Sequence, residues 1–348
     1  MIKINRNRLN PNDSNGGDME VNTAPVSTTP VSTPPVSTAQ WVEQQTKRLD
    51  AQPIVGYFPG DPPSAESVAF AALAACAYRR PAAAATACRR LLDSQLGDGS
   101  VAVWLDDKGP FWPTSLACIA WRRFEKQWPE QAKSWCRDAY EKGLDYLLNC
   151  GGEKIARNEI IGHDTELVGW PWVLGTHSWI EPTAMAVLAM RHCDRANHPR
   201  AIEATKLLLD RQLPSGGANY GNTFVLGQVL RPHVLPSAMC VVALHRITPV
   251  PDGLATTVRY LQQELNRPIA ATSLAWTIHA LVSAAWDSGT GFELEFDWPL
   301  RSAIQRLQSM GENPHRQNQM MLAARFRESP LLDLPPLQVV RPTEGTGK

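Results

Sequence analysis

Two short phrases take turns along this chain, and few folds have a use for both. One is Leu-Asp-x-Gln with a Gly four residues after the Gln. It reads "LDAQ" at Leu49–Gln52 with Gly56, "LDSQ" at Leu92–Gln95 with Gly99, and "LDRQ" at Leu209–Gln212 with Gly216. Weaker copies place Leu148 and Gly151, Leu261 and Glu264, and Leu307 and Met310 in the same frame. The Gln-equivalent positions are then 52, 95, 151, 212, 264 and 310, at spacings of 43, 56, 61, 52 and 46. The other phrase falls between these copies. It reads "PTSLACIAW" from Pro113, "PTAMAVLAM" from Pro182, "PSAMCVVAL" from Pro236, "ATSLAWTIHAL" from Ala271, and more loosely "ESVAFAALA" from Glu66. Each carries a hydroxyl near its start: Thr114, Thr183, Ser237, Thr272 and Ser67.

Both phrases are helical. Around "LDSQ" the apolar residues Ala87, Cys88, Leu91 and Leu92 recur at three- and four-residue steps, with Arg and Asp on the other face. Around "PTAMAVLAM" the helix is apolar nearly all round, as for a helix buried on every side. Pro followed by a small hydroxyl residue suits a helix start. The repeating unit is therefore an apolar inner helix followed by an amphipathic outer one, stacked about every 50 residues. A leading helix near Trp41–Leu49 and a final one near Gln317–Phe326 bring the count to about twelve. Six pairs close into an all-α barrel, an inner ring within an outer ring; an open solenoid is the alternative. In this scheme the Gln is glue. Its amide would bond the exposed carbonyls at its helix end and amides of the next inner helix. The Gly would permit a left-handed turn.

The Gln–Gly ending and the "P-T-x-x-A-x-x-A-L" opening resemble the prenyltransferase and squalene-oxidase repeat over about residues 40–327. Terpenoid cyclases of the squalene–hopene type and the β subunits of protein prenyltransferases carry that repeat on an α/α toroid. The resemblance implies the toroid and a central cavity for an isoprenoid or other apolar substrate. The family's known chemistries fit the residues less well. The cyclase D-x-D-D-T-A motif falls on Trp179-Ile180-Glu181-Pro182-Thr183-Ala184, so Glu181 takes the proton-donating place while Trp179 and Pro182 replace the flanking acids. The zinc-binding D-x-C pair is missing, because no Cys has Asp two positions earlier. "HCDRANH" at His192–His198 reads as a polar turn before it reads as a metal site. "NCGGE" at Asn149–Glu153 lacks the order and the Gln of a thioester motif. No cofactor or metal is expected.

The ends differ from the middle. Residues 1–38 are rich in Asn, Ser, Thr and Pro, with "PVST" three times at five-residue steps. Pro at that density blocks helix, and so little apolar surface cannot offset chain entropy, so a disordered extension is expected. The toroid domain is expected over 39–328, and residues 329–348, with four Pro, as an extended tail. Lys plus Arg and Asp plus Glu number 34 each, with no block of like charge, so a nucleic-acid partner is not expected. Seven scattered Cys without CxxC read as buried free thiols in a reducing compartment. No segment looks like a signal peptide or a bilayer span, which points to the cytoplasm.

Two segments carry the remaining chemistry. The insert Glu159–Thr183 holds His163, Asp164, Glu166, Trp170, Trp172, His177, Trp179 and Glu181. The loop from Gly97 to Thr114 holds Asp98, Trp104, Asp106, Asp107, Phe111 and Trp112. Both lead from an outer to an inner helix, so a toroid brings them to one rim. Trp121, Trp276 and His279 sit on inner helices. One reading is an enzyme with Glu181 as acid, His177, His163 and Asp164 assisting, and the Trp residues binding an isoprenoid-like molecule. The other is a non-catalytic toroid that binds a lipid, peptide or protein, with the Trp residues plugging the barrel. A pocket of about 300 Å³ or more reaching Glu181 favours an enzyme or a lipid binder, and a lumen filled by Trp side chains favours an interaction scaffold.

Overall fold

The computed structural model describes residues 36–157, 160–288 and 295–338. Helices dominate them. In chain order they are α1 (Thr38–Ala51), α2 (Ala65–Ala77), α3 (Pro81–Asp93), α4 (Thr114–Gln127), the single turn α5 (Pro129–Ala132), α6 (Trp135–Asn149) and α7 (Ile180–His192). Then come α8 (Pro199–Asp210), α9 (Val234–Ala243), α10 (Asp252–Glu264), α11 (Ala271–Ser288), α12 (Asp297–Ser309) and α13 (Pro314–Ala324). Strand is confined to short pairs. β1 (Phe224–Val225) and β2 (Gln228–Val229) form a hairpin, and β3 (Ile247–Thr248) pairs in parallel with β4 (Leu337–Gln338).

Six helices form a ring in which each packs on the next: α2, α4, α7, α9, α11, α13 and back to α2. The α13–α2 contact closes the circle and excludes the open solenoid. Outside it, α1, α3, α6, α8, α10 and α12 pack against the inner helices. The chain is an α/α toroid. The burial pattern follows the sequence. In α2 every residue but Glu66 is buried, and in α7 every residue is. In α3 and α8 only one stripe is. Each fully enclosed Leu or Phe, such as Leu73, Leu116 or Phe124, contributes about 1.5–3 kcal/mol.

The repeated Gln is structural, with partners partly other than expected. Gln95 donates to Gly99 O and to Ala139 O on the next outer helix, both at 2.9 Å. Gln212 donates to Leu208 O at 2.8 Å and receives the Thr257 hydroxyl of α10. The Gln therefore ties successive outer helices together, and Gln212 also reaches the inner helix α9 at Cys240 Sγ, 3.0 Å away. Gly99 and Gly216 take φ of +91°, as their turns require. A Cβ on Gly99 would stand 2.0 Å from Lys142 O. In the third copy Gln52 is exposed.

The hydroxyl of the other phrase does not cap its own helix. Thr114 receives the Val101 amide at 2.9 Å, Thr183 the Trp170 amide at 2.9 Å, and Ser237 the Ala218 amide at 2.8 Å. Each fastens the incoming rim loop to the inner helix. All seven cysteines are free thiols, and all but the half-buried Cys150 are buried. Among the described residues no helix is long and apolar enough to cross a membrane. Most of the Pro-rich N-terminal segment, residues 1–35, lies outside the described residues, as do residues 339–348 of the tail.

Candidate active site

Three inner helices bring polar side chains of their first turns near one another. Glu66 opens α2, Glu181 opens α7 and His315 opens α13. Glu66 Oε2 accepts the Tyr57 hydroxyl at 2.9 Å, and its Oε1 lies 3.8 Å from His315 Nε2. His315 is buried, and that burial depresses its ring to about 3, so it is neutral and makes no ion pair with Glu66. Gln319 Nε2 lies 2.8 Å from His315 Nε2. With the amide as donor there, the imidazole proton sits on Nδ1.

Both acids are weakened. Burial raises the Glu66 carboxyl to about 7 against the pull of the Tyr57 hydrogen bond. Burial raises Glu181 to about 7, and the negative charge of Glu66 adds to the rise. In the ring, α4 stands between α2 and α7. Repulsion between the two acids therefore acts across the lumen. Two carboxyls held above the ordinary range can serve as acid and base near neutral pH. Glu181 Oε1, His315 Nδ1 and Gln319 Oε1 are buried without a hydrogen-bond partner among the described protein groups. Buried polar atoms in that condition call for a water or a ligand.

Aromatic rings run beside the acids. Trp104, Tyr57, His315, Phe70 and Trp276 follow one another in edge contacts, with centroids 5.5, 5.1, 5.6 and 6.4 Å apart. Trp104 and Trp276 thus stand in the same chain of rings as His315, the neighbour of Glu66.

The two Trp-bearing segments do share a rim, where Trp112 packs edge-on to Trp172 at 4.7 Å. Together with Phe111, Tyr146 and Trp170 they line a cavity of about 270 Å³. Its wall includes Pro182 but not the adjacent Glu181. Trp170 is fixed by its indole donating to Leu147 O at 3.0 Å and by the Arg200 guanidinium 4.4 Å above the ring.

The other expected site residues lie elsewhere. Asp164 is paired with Arg157, which holds its carboxyl below the usual range. Its carbonyl accepts from Arg211. His163 faces Thr223, and burial lowers its ring to about 4. His177 is exposed and stacks on Trp179 at 4.7 Å. Trp121 is wholly buried with its indole on Cys88 O of α3, facing the outer ring. His279 bonds Ala275 O and Ser329.

The "HCDRANH" turn holds no metal constellation: His192 is buried, Asp194 pairs with Arg122, and His198 accepts the Arg200 amide. Among the described residues no group of three or more His, Cys, Asp or Glu is placed to hold an ion.

Glu66 and His315 are the functional candidates that sequence reasoning missed. Glu66 was in view only as the edge of an Ala-rich helix.

No family model matches the chain, and no curated protein matches it. Among solved structures, it is similar to two crystal structures of variants of a reducing-end-xylose-releasing exo-oligoxylanase. Both give a TM-score of 0.47 at 12% identity, over 86% of this chain and 95% of that one.

Proposed function

We propose that the toroid is an acid–base enzyme in which Glu66 and Glu181 act on a small, uncharged, oxygen-rich substrate, best an acetal-linked sugar. What supports this is the half-buried Glu66 and the buried Glu181 at the starts of α2 and α7, the Tyr57 and His315 contacts of Glu66, the unpartnered Glu181 Oε1, and the upward pull on both carboxyls. A carboxylic acid that weak is poorly matched to protonating an alkene, the step a terpenoid cyclase needs. It is well matched to protonating a leaving oxygen at neutral pH, where an acid near the working pH gives about 10²–10⁴-fold. An acetal needs one carboxyl to protonate that oxygen and a second to activate water or attack carbon. Glu181, whose Oε1 has no partner among the described residues, is the candidate acid, and Glu66 the candidate base or nucleophile. Tyr57, Trp104 and Trp276 offer ring faces for the C–H side of a sugar. Tyr57, Glu66, Glu181 and the neutral His315 bring no positive charge, which favours an uncharged substrate.

A second reading keeps the isoprenoid-like ligand. The separate Trp112–Trp172 cavity favours it, being walled almost wholly by apolar side chains.

The test is a panel of p-nitrophenyl glycosides and short oligosaccharides, run beside prenyl diphosphates and squalene, with the full chain and its Glu66→Gln and Glu181→Gln variants. Turnover of a glycoside, reduced at least 100-fold in each variant while both stay folded, is the expected result. Turnover only of the isoprenoids moves the function to the second reading. Glycoside turnover that survives both substitutions, or no turnover of any substrate, removes the acid–base assignment.

A further inference from the structure

The opposite rim, where the inner helices end, carries a second site. A cavity of about 670 Å³ there is lined by Arg79, Arg123, Lys126, Arg246 and Arg327, against the acids Asp287, Glu328 and Asp333. The acids are all engaged. Asp287 holds His245 and the Arg246 amide, Glu328 pairs with Arg325, and Asp333 with Arg123 and Lys126. That leaves the guanidinium groups of Arg79, Arg246 and Arg327 without a carboxylate among the described residues; one nitrogen of Arg246 donates to Leu334 O at 2.9 Å, and the others stay available.

Helix capping does not account for them. Cations at helix C-termini are ordinarily explained by the exposed carbonyls and the negative end of the dipole. At the end of α2, however, Cys76 O takes the Gln127 amide, and Ala74 O and Ala75 O take the backbone amides of Tyr78 and Arg80. At the end of α9, Ala243 O and His245 O take Arg191. Arg79 and Arg246 also sit at φ of +53° and +60°, in the left-handed region where Gly is the favoured residue after a helix. A bulky side chain there costs about 1 kcal/mol of backbone energy. At both places the chain accepts that cost and presents a guanidinium to the same cavity. Arg123 Nε, on the cavity wall, is buried with no hydrogen-bond partner among the described groups.

We infer that this cavity binds a small multivalent anion of the phosphate class, held by Arg79, Arg246 and Arg327. Planar forked donors converging from the ends of α2 and α9 and from the segment after α13 suit an oxyanion with several acceptors. The site lies at the other end of the ring from Glu66 and Glu181 and does not depend on their chemistry.

Calorimetric titration of the full chain with inorganic pyrophosphate at low ionic strength tests it. One-to-one binding is expected, weakening steeply with added salt. It should weaken at least tenfold in Arg79→Gln with Arg246→Gln, and keep its strength in the charge-matched control Lys154→Gln with Lys206→Gln. Circular dichroism and the melting temperature establish that the variants are folded. Absence of binding overturns the inference. So does equal weakening in the control pair, which would show attraction to overall charge only.

Discussion

Replacing Glu181 by Gln should make the protein more stable, and only at high pH. Folding raises this carboxyl from an ordinary 4.5 to about 7, chiefly through burial. An acid whose folded value is raised binds its proton more tightly in the native state. Its effect is nil below the unfolded value, where both states are protonated. It grows as pH climbs from 4.5 to 7 and is complete above that, where the native state must hold a buried charge. Each tenfold change in proton affinity is worth about 1.4 kcal/mol, so the ionised Glu181 costs about 3 kcal/mol at pH 8. Gln has the same shape and no charge. Urea unfolding of parent and variant at pH 4.5 and pH 8 reads the difference. A gain of about 3 kcal/mol at pH 8, with almost none at pH 4.5, is expected, together with loss of activity. An equal effect at both pH values, or a loss of stability at pH 8, would refute the claim that a charged carboxylate is held there against its hydration.

Two further outcomes concern the frame. Arg191 is wholly buried and donates to Ala243 O, His245 O and Pro335 O at 2.6, 2.7 and 2.6 Å, joining α7, the end of α9 and the tail. Arg191→Met should cost about 3–5 kcal/mol, seen as a lower urea midpoint with unchanged slope; a loss under about 1 kcal/mol would contradict the strap role. A Cβ at Gly169 would lie 2.3 Å from Thr183 Oγ1, the atom that holds the Trp170 amide. Gly169→Ala should therefore cost about 2–4 kcal/mol and alter Trp fluorescence, and additivity with Thr183→Ala would count against this account.

The architecture was legible because its signals are local and repeated. The apolar run after Pro182 can only be buried on all sides, and the Gln–Gly ending recurs at the same place in the unit. The shared rim followed from connectivity alone, and the Trp112–Trp172 contact bears it out. The site was legible only in part. Glu181 stood out through its motif position. Glu66 is a lone acid in the first turn of an Ala-rich helix, a place where any acid complements the dipole. Its partner acid is more than a hundred residues away and meets it only once the ring has closed. In the insert, His163 and Asp164 looked like catalytic company for Glu181. Arg157 and Arg211, which take up Asp164, were in the sequence too, but nothing local marks which cation answers which acid.

The helix least like its neighbours supplies the polar half of the site. The other inner helices are apolar along most of their length, while α13 reads Pro-His-Arg-Gln-Asn-Gln and still buries His315, Gln317, Asn318 and Gln319. It is also the last inner helix in chain order, so the seam between the first and last inner helices is where the polar groups stand. Arg48 of α1 donates to Asn318, the Asn318 amide to Ser67 O at 3.5 Å, and the Tyr78 hydroxyl to Met321 O at 2.9 Å. These bonds hold α13 against α2 along the seam. Glu66 stands beside His315 of α13 only because the ring closes, so part of its surroundings comes from outside its own helix. A lesion that loosened the seam would rehydrate Glu66 and return it toward the ordinary carboxylate range while the rest of the toroid stayed folded.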